Sequence, residues 1–247
     1  MLQLTCAGKC RRDGSSYLLF LLLALILGSA GMAGATVWQS GDLTTYSQVT
    51  WPDDSAARAI VINNFNTVYA SSFGVMEVGI PGTAGFSMRF DSGIATLVYL
   101  PVNGPSAALD ADLFDPTTSA SGGFGGDVVA LQLNVDFSSY TAGTSGLRFG
   151  DLLVSGLATT ALNGLTVRQV LADANIALGG GTTVASIADL DALAQNLNAS
   201  FLSSMPSVFV QEHLDAPTTA SVPEPATMLL LGLGLIGLAG MRRKMQR

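Results

Sequence analysis

The sequence predicts a mainly β domain, an antiparallel sandwich or barrel-like sheet with a C-terminal helical hairpin, α+β overall. Three observations predict it. Val129, Leu131, Leu133, Val135 and Phe137 alternate with Ala130, Gln132, Asn134 and Asp136, the period of a strand with one buried and one wet face. Phe86, Met88 and Phe90 alternate in the same way with Ser87, Arg89 and Asp91. The last third changes period: Val167, Val170, Leu171, Ala174 and Leu178 share one helical face, and so do Leu190, Leu193, Leu197 and Phe201.

In chain order, residues 1–35 read as a secretory signal peptide. Lys9, Arg11 and Arg12 precede ten consecutive apolar residues at 18–27, and Ala33-Gly34-Ala35 offers a small-residue cleavage site. Ten helical residues reach about 15 Å, roughly half the hydrocarbon core. Cleavage after Ala35, with Ala33 and Ala35 as the recognised positions, removes both Cys6 and Cys10. The mature chain then has no thiol for a disulfide, a nucleophile or a metal.

Residues 36–214 are expected to form one extracytoplasmic domain. Shorter strand candidates are Ala59–Ile62, Val75–Ile80 and Ala95–Leu100, with turns at Pro81-Gly82 and Asn103-Gly104. Gly122-Gly123-Phe124-Gly125-Gly126 reads as a turn with positive φ, or as tight packing, before the strand at Val129. The first late helix stops at Gly179-Gly180-Gly181. The second starts at Ser186, with Asp189 placed for a capping box, and Pro206 bars further helix. Residues 215–222 are rich in Pro, Thr, Ser and Ala and read as an extended linker.

Charge excludes one class of partner. Residues 36–222 hold four cations, Arg58, Arg89, Arg148 and Arg168, against sixteen acids, and no lysine. A balance of −12 rules out nucleic-acid binding through phosphate contacts, each of which needs a cation.

The search for chemistry finds little. His213 is the only histidine, so a Ser-His-Asp set would have to use it; Ser155 lacks the flanks of a nucleophile elbow. Asp110, Asp112 and Asp115 are weak calcium candidates, since their loop lacks the Gly and Glu of an EF-hand. No metal or other cofactor is expected. Trp38 and Trp51 could stack on sugar if exposed, or pack in the core. A carboxylate pair for glycoside hydrolysis also stays open.

Pro223-Glu224-Pro225 then precedes sixteen uncharged residues at 226–241, about 24 Å of helix, and the basic tail 242–247 with Arg242, Arg243 and Lys244. The apolar run reads as a transmembrane helix with these cations as its stop signal and the acidic domain outside. Pro-Glu-Pro, a Leu/Gly-rich run and an arginine cluster together resemble the PEP-CTERM sorting signal of bacterial surface proteins. The resemblance implies a membrane-tethered, exported protein processed by an exosortase and bound for the cell surface or extracellular matrix. It does not identify what the cargo domain does. A non-enzymatic structural or adhesive role is the leading expectation. An exopolysaccharide-binding module and a secreted carboxylate-dependent hydrolase are the alternatives.

Overall fold

Asp54 starts the first long helix. Its side chain accepts from the backbone N–H of Ala56 at 2.8 Å and of Ala57 at 2.9 Å, capping donors that the helix cannot satisfy itself. The computed structural model describes residues 37–143 and 146–217. A short helix α1 (Thr50–Asp53) leads into α2 (Ser55–Val68), which buries Ala57, Val61 and Phe65 at four-residue spacing. Strand β1 (Met76–Gly79) pairs antiparallel with β2 (Ser87–Phe90), and β2 pairs parallel with β3 (Leu113–Phe114). Helix α3 (Gly93–Tyr99) lies between β2 and β3 in sequence, capped by Ser92. Then come α4 (Gly122–Asp136), the one-turn α5 (Ser138–Thr141) and β4 (Leu153–Val154). The chain continues through α6 (Val167–Leu178), α7 (Ile187–Asn198) and α8 (Val208–His213) to β5 (Leu214–Asp215), which pairs antiparallel with β4.

The fold is therefore not mainly β. Among the described residues it is predominantly helical, with one three-stranded and one two-stranded sheet and no sandwich or barrel. The largest correction is Val129–Phe137, which lies in α4 and its cap. α4 is covered on nearly every side: Phe124, Val128, Val129, Ala130, Leu131, Leu133 and Val135 are all buried. A helix buried nearly all round needs no 3.6-residue stripe, so its polar positions can fall at alternate places. Those positions are matched from outside. Asn134 donates to the Tyr46 carbonyl at 2.7 Å, accepts from the Tyr46 N–H at 2.9 Å, and donates to Asn198 Oδ1 at 2.9 Å.

Ala59–Ile62 and Ala95–Leu100 are corrected for a related reason. Each was a fragment of a helix, α2 and α3, too short to reveal its period. The glycine run at 122–126 is the first turn of α4 rather than a loop before a strand. A Cβ on Gly122 would meet the Pro105 carbonyl, and one on Gly125 would meet Ser121 Oγ and the Tyr99 hydroxyl, so the chain packs against bare backbone there.

Two expected strands stand as β1 and β2, and the two late helices stand as α6 and α7. Thr166 and Gln169 form a capping box on α6, and Ser186 accepts from the Asp189 N–H on α7 at 3.1 Å. Both helices pack chiefly on α4 rather than over a broad sheet. Trp38 and Trp51 are core residues: their indoles donate to the carbonyls of Leu214 (2.7 Å) and Ala130 (3.3 Å). Among the described residues no helix is long and apolar enough to cross a membrane. The transmembrane run expected at 226–241 lies outside them, as do the signal peptide with Ala33 and Ala35 and the sorting residues from Pro223 onward.

Candidate functional site

One cleft of about 570 Å³ opens where the small sheet meets the C-terminal end of α4. The last turn of α2 supplies Val68, and its cap supplies Tyr69. The turn at 70–72 supplies Ser71 and Ser72, followed by Phe73 and Val75. Glu77 comes from β1 and Arg89 from β2, directly opposite each other in the register. β1 buries Met76 and Val78, so its alternation turns Glu77 outward, to the side the cleft occupies. Gln132, Val135 and Asp136 come from α4, Arg168 from α6, and Arg148 from the preceding segment.

The two carboxylates here are already engaged. Glu77 accepts from Ser87 Oγ at 2.8 Å and lies 4.0 Å from Arg89 Nε. Asp136 accepts from the Tyr69 hydroxyl at 2.9 Å and from Gln132 Nε2 at 2.6 Å. Burial raises the Asp136 pKa, while the two donors and nearby Arg168 partly offset that. Burial, followed by the charge of Asp136, pushes the Tyr69 hydroxyl well up, so it stays a donor. The arginines are less committed. Arg168 lies 3.7 Å from Asp151, both half exposed, and Arg148 makes no ion pair among the described residues. Phe73 at the rim is 98% exposed and holds φ at 56°, a left-handed conformation that an aromatic residue rarely adopts.

A second polar group lies toward the N-terminal end of α4. Asp127 is 3% exposed and faces Asp191 of α7, 8% exposed. Asp191 Oδ2 accepts from Ser106 Oγ at 2.5 Å, whereas Asp127 Oδ2 and Asp191 Oδ1 find no donor. A proton held between the two carboxyls satisfies both oxygens at once. Burial first, then the charge of Asp191 and the hydrogen bond to it, raise Asp127 to about 7, with Gln195 and Asn198 opposing.

The residues singled out from sequence fall elsewhere. Asp112 accepts from the Ser87 N–H at 2.8 Å and Asp115 from the Asp91 N–H at 3.0 Å, so both tie a loop to β2 and its end. Among the described residues no group of three His, Cys, Asp or Glu is placed to hold a metal ion, and Asp110, Asp112 and Asp115 form no such set. Ser155, His213 and Asp215 do meet, through the β4–β5 pairing, but their bonds run the wrong way for a triad. Ser155 Oγ donates to Asp215 at 2.9 Å, and His213 Nδ1 pairs with the Ser155 carbonyl at 2.9 Å. The cleft itself was missed. Its signal was the short list of cations, read only for what it excluded: three of the four, Arg89, Arg148 and Arg168, line this one opening.

No curated protein and no solved structure matches the chain. Residues 221–244 match the family model of the PEP-CTERM protein-sorting motif, the segment containing Pro223-Glu224-Pro225 and the apolar run. The chain is thus a carrier of the PEP-CTERM sorting motif, which marks it as an exported protein anchored through its C-terminal segment and sorted by an exosortase.

Proposed function

We propose that this protein is a non-enzymatic component of the cell surface or extracellular matrix, with a structural or adhesive role, and that it holds exopolysaccharide in the cleft beside β1 and β2. One observation carries the reading. The cleft joins an exposed aromatic ring, Phe73, to hydroxyl and amide groups at Ser71, Ser72 and Gln132, while its carboxylates are tied to donors of the protein itself. Such a surface suits holding a polyhydroxylated chain better than cleaving one. Burial of Trp38 and Trp51 decides for core packing over a sugar platform at those two rings and leaves Phe73 as the ring of this cleft that could stack.

The test is retention. The exported protein should sediment with exopolysaccharide purified from the producing cells, and Phe73→Ala should reduce that fraction. New reducing ends appearing on incubation, and lost in Asp136→Asn, would replace holding with hydrolysis. The sorting half is tested separately. Glu224→Ala with Pro223 also changed should leave insertion intact and let an unprocessed form accumulate, heavier by about 2–3 kDa for a retained apolar run and tail of roughly 22 residues. Normal processing of that variant would remove Glu224 and Pro223 from the recognition step.

A further inference from the structure

We infer that the cleft selects an acidic saccharide, one whose sugar units carry a carboxylate, and that Arg148 and Phe73 are the residues that select it. This rests on the reading of the cleft as a polymer-holding site and adds the charge and the specificity determinants.

The first argument is the placing of charge. Residues 36–222 contain four cations, and three of them line one cleft. The lining holds Arg89, Arg148 and Arg168 against Glu77 and Asp136, a positive balance. The rest of the domain holds one cation, Arg58, against fourteen acids. A polyanion is repelled over most of this surface and attracted here, so the field that keeps it off elsewhere steers it to the cleft. A neutral sugar would gain nothing from that arrangement.

The second argument is the state of the arginines. A guanidinium offers five donors in a planar fork that fits a carboxylate with two parallel bonds. The Arg89–Glu77 and Arg168–Asp151 approaches, at 4.0 and 3.7 Å, are longer than hydrogen bonds and leave donors free. Arg148, exposed and with no ion-pair partner among the described residues, is the best placed to receive an incoming carboxylate.

The third argument is Phe73, which is independent of charge. An almost fully exposed phenylalanine in a left-handed conformation contributes nothing to the core and adds backbone strain. Glycine would fit that backbone without strain. The position makes sense when the ring serves a ligand: the C–H face of a pyranose lies on it while the ring's carboxylate reaches the arginine fork.

The full chain, purified in mild detergent, is titrated calorimetrically with trigalacturonic acid and with its methyl ester, the same sugar with its charge removed. The acid should bind at least about tenfold tighter than the ester, the scale of one hydrogen-bonded charge. Arg148→Gln should remove most of that difference, Arg58→Gln should leave it, and added salt should shrink it. Phe73→Gly should weaken acid and ester alike by about threefold to tenfold, the scale of a lost ring contact, without lowering the melting temperature. Equal binding of acid and ester, indifferent to Arg148, overturns the inference and leaves the polymer-holding reading standing. Failure of both to bind overturns that reading with it. Preference for the acid that survives Arg148→Gln puts the anion site elsewhere and overturns this assignment. A lower melting temperature in Phe73→Gly makes the ring structural.

Discussion

Asp127 and Asp136 stand nine residues apart on α4, and burial raises the pKa of both. Their surroundings are opposite. Asp127 meets a second carboxyl sealed between α4 and α7, whereas Asp136 meets a tyrosine, a glutamine and the arginine side of an open cleft. One end of the helix manages its charge by holding a proton and the other by gathering donors. The first device gives the larger pH dependence of stability; the second holds a carboxylate beside arginines that make only long ion pairs. The same desolvation thus has a structural result at one end and a binding result at the other.

The largest effect tests whether the two ends belong to one cooperative unit. Leu131, fully buried between them, should cost about 2–5 kcal/mol when changed to Ala. Its denaturant unfolding followed by tryptophan fluorescence and by far-ultraviolet dichroism should stay coincident, with Trp51 reporting through its bond to Ala130. Separated transitions would mean that the ends fold independently.

The next effect isolates the Asp127 end. Below its unfolded pKa of 3.8 the carboxyl is protonated in folded and unfolded chains alike, and it imposes no cost. As the pH rises toward 7, the unfolded chain releases that proton while the folded one keeps it, so stability falls. A rise from 3.8 to about 7 corresponds to at most about 4 kcal/mol, fully lost above neutrality. Asp127→Asn, which can still donate to Asp191, should flatten this slope between pH 4 and 7 and be the more stable form at pH 8, as measured by urea titrations. A slope unchanged in the variant would place the proton elsewhere.

Tyr69→Phe sharpens the other end. It removes one of two donors to Asp136 and should cost about 1–2 kcal/mol. It should also raise the Asp136 pKa further, observable by carboxyl carbon NMR. The smallest effect is expected at the arginines. Arg148→Gln and Arg168→Gln should each change stability by less than about 0.5 kcal/mol, since Arg168 makes only a half-exposed pair with Asp151 and Arg148 none among the described residues. A large loss in either would make the cleft's cations structural and erase the contrast.

What could be read from the sequence followed from how exposed each element is. α6 and α7 each keep a wet face, so their 3.6-residue period was visible, and so was the Ser186 cap of α7, whereas the Thr166 cap of α6 emerges only in the structure. β1 and β2 sit in a short hairpin-like pair with alternating residues and turn signals close by. α4 was illegible because its neighbours hide it: Gln132, Asn134 and Asp136 are polar for partners at Asn175, Tyr46 and Tyr69, none near in sequence. The same holds for the cleft. Arg89 comes from β2, Arg148 from a loop and Arg168 from α6, and the packing of α6 against α4 and β1 helps bring them to one wall. The sorting motif was fully legible because its residues are contiguous in the sequence.

The clustering of arginines also governs how the domain meets proteases. An enzyme that cuts after basic residues finds four sites between residues 36 and 222, and three of them face the cleft. With no lysine in that stretch, much of the surface offers such an enzyme no bond to cut. A ligand seated in the cleft would shade most of the remaining sites, so the pattern of tryptic fragments becomes a footprint of occupancy, and resistance to digestion outside the cell would rise as the protein becomes bound.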